Sequence, residues 1–131
     1  MNMIDRRKVC GLIILYNPTV KQLQQIERVS LQCDTIIVDN TKNNADYFLS
    51  LNKNNYIPLN ENMGIAYAQN RGLEQIKHRG YEYVLFLDQD TLLLDGFVEK
   101  LLQVYVQLQK KYKMGLLGPT IIDEKSGQEH T

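Results

Sequence analysis

Two acids, Asp88 and Asp90, stand two residues apart at the end of the apolar run Tyr83-Val84-Leu85-Phe86-Leu87. Ending a core strand in paired carboxylates does nothing for its stability. In extended backbone, residues i and i+2 point to the same side, so the spacing predicts that both carboxylates converge on one point. Like charges that close repel unless something positive sits between them. Hard oxygen ligands of this kind suit Mg2+ or Mn2+, which keep several waters and take further ligands from substrate phosphates. The pattern therefore predicts an Asp-x-Asp metal site that grips a phosphorylated substrate. The motif is short, however, and acids after strands also cap helices and hold turns. The elements that carry it have to decide between the two readings.

Val9 to Leu15 is a continuous apolar run and reads as a buried strand stopped by Tyr16-Asn17-Pro18, with Thr19 able to cap a helix from about Val20 to Gln32. Thr35 to Val38 is a second short buried strand and ends in Asp39-Asn40. Ala45 to Leu51 reads as a short helix, and Tyr56-Ile57-Pro58-Leu59 as a third strand near a sheet edge because of Pro58. It ends in Asn60-Glu61-Asn62-Met63-Gly64. A helix over Ile65 to His78 carries the stripe Ile65, Ala68, Gly72, Leu73 and Ile76, whose small members allow close packing, and Gly80 stops it. Tyr83 to Leu87 is the fourth strand. Asp95 is positioned to cap a third helix, about Gly96 to Tyr112, with Val98, Leu101, Leu102, Tyr105, Leu108 and Tyr112 on its buried face. Met114 to Leu117 reads as a fifth strand, Thr120 to Ile122 as extended, Asp123 to Gly127 as a turn, and the end as a polar tail.

Continuously apolar strands alternating with helices indicate an α/β fold, a three-layer α/β/α arrangement with a mostly parallel sheet. At 131 residues the chain reads as a single domain, 1–131. Hydrophobic and charged fractions of 44% and 23% are those of an ordinary globular protein. Fifteen basic residues balance fifteen acidic ones, which argues against nucleic acid as a partner. No apolar run is long enough for a transmembrane segment, and no signal peptide is legible. Cys10 and Cys33 suggest neither a disulfide framework nor a zinc site, so a reducing, cytoplasmic location is expected.

In open parallel sheets, ligands bind beyond the carboxyl ends of the strands, where strand order reverses. Tyr16-Asn17, Asp39-Asn40, Asn60 to Gly64 and Asp88-Gln89-Asp90 each follow a strand, so all four clusters are expected on one rim. No Gly-x-Gly-x-x-Gly follows the first strand and no Gly-x-x-x-x-Gly-Lys-Ser/Thr occurs, which excludes a dinucleotide dehydrogenase and a P-loop protein. A phosphoacceptor receiver domain needs acids after its first strand, where this chain has Tyr16-Asn17. A haloacid-dehalogenase-type phosphatase needs a threonine one residue later than Thr91.

The ordered set resembles the nucleotide-sugar half of a family 2 glycosyltransferase. It comprises Val9 to Asn17, Ile36-Ile37-Val38-Asp39-Asn40, Asn60-Glu61-Asn62-Met63-Gly64-Ile65-Ala66 with Ala68-Gln69-Asn70-Arg71-Gly72, and Phe86-Leu87-Asp88-Gln89-Asp90-Thr91. It covers about Lys8 to Ile122. Leu-Asp-Gln-Asp-Thr, with Tyr-Asn-Pro after the first strand, is most similar to the rhamnosyltransferase branch, which uses dTDP-rhamnose to build bacterial surface polysaccharides. The resemblance implies a GT-A fold, Mg2+ or Mn2+ as cofactor, a dTDP- or UDP-sugar donor and a glycan or lipid-linked acceptor. A peripheral position at the inner face of the membrane is compatible with such an acceptor.

The same resemblance implies roles. Tyr16 and Asn17 would lie beside the nucleoside, and Asp39 would accept from the imide N–H of uracil or thymine. Asn60 and Gly64 would border the nucleotide, Gly64 by letting backbone approach it, and Asn70 or Arg71 would face the diphosphate. Asp88 would contact ribose or a metal-bound water, with Gln89 beside it, and Asp90 would bind the cation. The implied mechanism is inverting, with an acceptor hydroxyl attacking the anomeric carbon and a carboxylate taking its proton. The family carries that base after the fifth strand, near where this chain stops, and no motif promotes Asp123 or Glu124 to the part. The expectation is a donor-binding half, lacking the acceptor-binding portion, that binds nucleotide with weak or absent transfer and self-associates through an exposed sheet edge. A non-catalytic nucleotide-sugar-binding module and a metal-dependent phosphate hydrolase using Asp88 and Asp90 stay open as alternatives.

Overall fold

A computed structural model describes residues 9–42, 55–112, 120–123 and 128–130. The elements run β1 (Val9–Leu15), α1 (Val20–Ser30), β2 (Asp34–Asp39), β3 (Tyr56–Pro58), α2 (Ile65–His78), β4 (Tyr83–Leu87), α3 (Phe97–Tyr112), β5 (Thr120–Asp123) and β6 (Gln128–His130). They build one sheet in the order β3-β2-β1-β4-β5-β6. β3, β2, β1, β4 and β5 are parallel, and β6 alone is antiparallel.

β1 is central, which is why its sequence is apolar at every position. Its alternate residues serve opposite layers. Val9, Ile13 and Leu15 pack with Leu23, Ile26 and Val29 of α1 and Val98, Leu102 and Tyr105 of α3. Cys10 and Leu12 pack with Ala68 and Ile76 of α2. Full burial of each such aliphatic side chain contributes about 1.5–3 kcal/mol. Tyr83 and Tyr105 meet edge to face, centroids 5.7 Å apart. The layers and the mostly parallel sheet are those of the GT-A type.

Local signals explain the helix ends. Thr19 and Gln22 form a reciprocal capping box at the start of α1. At Gly72 α2 comes close to the sheet, since a Cβ there would overlap the Leu12 side chain. A larger residue there would have to displace the Leu12 side chain, an overpacking cost of about 1–3 kcal/mol.

Several expectations change. Asp88 to Asp90 do not continue the strand. Thr91 N–H donates to the Asp88 carbonyl at 3.0 Å and Asp88 N–H to Thr91 Oγ1 at 3.0 Å, which closes a turn. The same-side rule for extended backbone therefore does not apply to this pair. Gly96, with φ of 75°, takes the cap position of α3 in place of Asp95, because its carbonyl accepts from Lys100 N–H. Ile65 is 67% exposed, since α2 begins above the rim of the sheet, and Leu108 is 43% exposed. The polar end of the chain is an edge strand, β6, whose residues pair with β5. β5 lies at Thr120–Asp123. The short helix expected over Ala45 to Leu51 and the strand over Met114 to Leu117 lie outside the described residues. Pro58 does fall on an edge strand.

Candidate active site

Parallel pairing brings the carboxyl ends of β1, β2, β3 and β4 to one rim. Strand order reverses between β1 and β4, so the switch point lies where Tyr16 and Asp88 leave the sheet. The loops there are tied to one another by side chains. Asn40, 3% exposed, accepts from Met63 N–H at 3.1 Å through Oδ1 and donates to the Gly64 carbonyl at 3.2 Å through Nδ2. Its own N–H donates to the Leu15 carbonyl at 2.8 Å. Thr41 Oγ1 accepts from Asn17 N–H at 2.8 Å. The Gln89 amide pairs with the peptide of Tyr16, accepting from its N–H at 2.8 Å and donating to its carbonyl at 3.1 Å.

A cleft of about 160 Å³ opens beside the switch point, on the α2 side of the sheet. Leu12 and Ile14 of β1, Phe86 and Leu87 of β4, Ile65 and Gln69 of α2, and Asp88 line it. It is an apolar floor with a carboxylate and an amide at its mouth, the composition usual for a small-molecule site.

Of the expected residues, only Asp88 is among those that line this cleft, and the others lie elsewhere on the loops and on α2. Tyr16 is 53% exposed. Asn17, Asn60 and Gly64 have φ of 46°, 62° and 87°, left-handed conformations that turn the chain sharply at the rim. Asp88 lines the cleft, and Asp90 lies exposed two residues on. Asn70 and Arg71 are exposed and do not line it, because one turn of helix carries Gln69 toward the sheet while its next two neighbours rotate away. Gln69 is the polar α2 residue that reaches the site, beside Ile65.

Asp39 is fully buried. Its Oδ1 accepts from Thr41 N–H at 2.9 Å and its Oδ2 from the Tyr56 hydroxyl at 2.5 Å. The carboxylate thus holds its own loop and β3 together, beneath the surface on which Tyr16 and Asn17 sit. Asn40, Thr41, Tyr56 and Gln69 went unassigned in the sequence. Asn40 and Thr41 carried a signal in following Asp39 directly, whereas nothing local marks Tyr56, 17 residues away.

Among the described residues no three His, Cys, Asp or Glu side chains group to hold a metal. Asp88 and Asp90 are both exposed, and carboxylates are hard donors of the kind Mg2+ and Mn2+ take. Thiol chemistry is absent from this rim. Cys10 and Cys33 are both buried, and burial, with Cys33 and Asp34 adding to it, pushes the Cys10 thiol up to about 12. No helix among the described residues is long and apolar enough to cross a membrane.

No curated protein and no solved structure matches the chain significantly. The family model for glycosyl transferase family 2 matches residues 15–120, from the last residue of β1 to the first of β5. That span holds the loops that follow β1, β2, β3 and β4, and the chain belongs to glycosyl transferase family 2.

Proposed function

We propose that this glycosyltransferase domain binds a nucleoside-diphosphate sugar across the β1/β4 switch point and transfers its sugar to a surface-polysaccharide or glycolipid acceptor. The donor base is uracil or thymine, and rhamnose is the favoured sugar, on the likeness carried by Tyr16-Asn17-Pro18 and Leu87-Asp88-Gln89-Asp90-Thr91. The carrying observation is the cleft at the switch point, lined by Asp88, together with rim loops bonded to one another.

The nucleoside lies against Tyr16 and Asn17, with Asn60 and Gly64 bordering it. Asp39 receives the imide N–H once the base displaces part of its present cover. The start of α2, which has no side-chain cap and no acid in its first turn, favours the negative diphosphate. Asp88 would face the ribose or a metal-bound water, and Asp90 would hold Mg2+ or Mn2+, a cation that would supply positive charge to offset what develops on the departing nucleoside diphosphate. An acceptor hydroxyl would attack the anomeric carbon from the opposite face as the sugar–phosphate bond breaks, its proton passing to a carboxylate base, the inverting course.

Calorimetry with UDP, dTDP, UDP-glucose and dTDP-rhamnose, with and without Mn2+, tests the reading. Binding of a diphosphate that strengthens with Mn2+ and loses that increment in Asp90→Ala is expected. Release of phosphate from sugar phosphates without nucleotide binding would replace the transferase reading with the hydrolase.

A further inference from the structure

Gln89 stands between the two acids of the metal-binding motif, yet its side chain turns toward the loop after β1. Its amide makes two bonds to the peptide of Tyr16, 73 residues away, at 2.8 and 3.1 Å. A primary amide has a donor and an acceptor side by side, so it can complete a backbone peptide in the way a neighbouring strand would. Gln89 Nε2 also lies 3.4 Å from Gln22 Oε1, and Gln22 closes the capping box of α1 with Thr19. The acid turn is therefore joined to the Tyr16 loop and, through Gln22, to the start of α1.

We infer that Gln89 is a positioning residue that holds the Tyr16-Asn17 loop and the Asp88–Asp90 turn in fixed register, so that a nucleoside and a metal-bound diphosphate are gripped together. The inference rests on the donor-site reading above and adds to it a residue that works without touching the ligand. The geometry requires this particular side chain. Asparagine is one methylene too short to reach the same peptide from the same backbone, and glutamate can accept from Tyr16 N–H but cannot donate to its carbonyl. The turn bonds between Asp88 and Thr91 hold the acid loop's own shape, but they say nothing about its distance from Tyr16. Gln89 spans the β1 and β4 loops directly, with one bond in each direction.

The test is the Gln89→Met variant of the full chain, which keeps length and removes both bonds. UDP and dTDP binding is measured by calorimetry with and without Mn2+, and hydrogen exchange is followed at Tyr16 and at Leu12 and Ile13. Loss of two neutral hydrogen bonds from the clasp is expected to lower Mn2+-supported affinity roughly tenfold. Tyr16 should exchange faster, while Leu12 and Ile13 in the centre of the sheet stay as protected as in the unmodified chain, which separates loss of register from loss of fold. Affinity within twofold of the unmodified chain, or unchanged exchange at Tyr16, overturns the inference alone. An unmodified chain that binds neither diphosphate overturns the donor-site reading, and this inference with it.

Discussion

β2 begins and ends in an aspartate, and each accepts a hydrogen bond from a tyrosine hydroxyl. At the amino end Tyr81 donates to Asp34 at 2.8 Å, and at the carboxyl end Tyr56 donates to Asp39 at 2.5 Å. The residue types match, but the settings differ. Asp34 is half-buried and Asp39 has no exposed surface. The Asp34 end is a local brace that pins the loop after α2 to β2. The Asp39 end continues through Thr41 to Asn17 and sits beside Asn40, which reaches the start of α2. Turn-forming polar residues occur on both rims. At one they steady a single connection, and at the other they organise several loops around a cleft. Parallel topology makes this asymmetry, because only the carboxyl rim gathers the loops that leave neighbouring strands together.

Removing each tyrosine hydroxyl should expose the difference. Tyr56→Phe leaves a fully buried carboxylate with one donor fewer, and a bond to a charged group contributes about 1.5–3 kcal/mol. A loss of about 2 kcal/mol in urea unfolding is expected, together with weaker nucleotide binding. Asn40→Ala removes two side-chain bonds to exposed backbone that water can replace, so about 1–2 kcal/mol and a several-fold loss of nucleotide affinity should follow. Tyr81→Phe should cost about 1 kcal/mol and leave nucleotide affinity unchanged. An equal effect of the two tyrosine variants on nucleotide binding would erase the distinction between the rims.

The last effect is confined to alkaline conditions, a pH dependence at the Asp34 end. Cys10 rises from 9.0 to about 12, mainly through burial, and Tyr81 and Tyr83 also rise above 10.0 through burial, helped by Asp34 and Glu82 respectively. Below pH 9 the thiol is protonated whether the chain is folded or not. Above it the unfolded chain releases the proton while the folded chain keeps it, so stability falls as pH rises toward 12. The slope approaches about 1.4 kcal/mol per pH unit for the one group. Urea unfolding at pH 8 and pH 10 should show a smaller decline in Cys10→Ala than in the unmodified chain. Parallel declines would mean that the thiol is not held protonated by the fold.

The contrast between the rims also separates what was legible in the residues from what was not. The rim itself was legible, because apolar strands that alternate with helices must run parallel and send their following loops the same way. Asp88 at the cleft followed from that alone. The partners within the rim were not. Tyr56 sits on a three-residue edge strand with no local mark of its bond to Asp39. The choice of Gln69 over Asn70 and Arg71 depends on where α2 docks, which Gly72 controls through its contact with Leu12.

By itself the sequence determined the bounds of β1, α2 and β4 and the family to which the chain belongs, since apolar runs, helical period and ordered motifs are written in neighbouring residues. Tertiary structure alone decided that Gln89 faces Tyr16 and that Asp39 is buried under the rim. Those outcomes depend on distances between strands that lie far apart in the chain, and a local pattern of residue types contains no such distances.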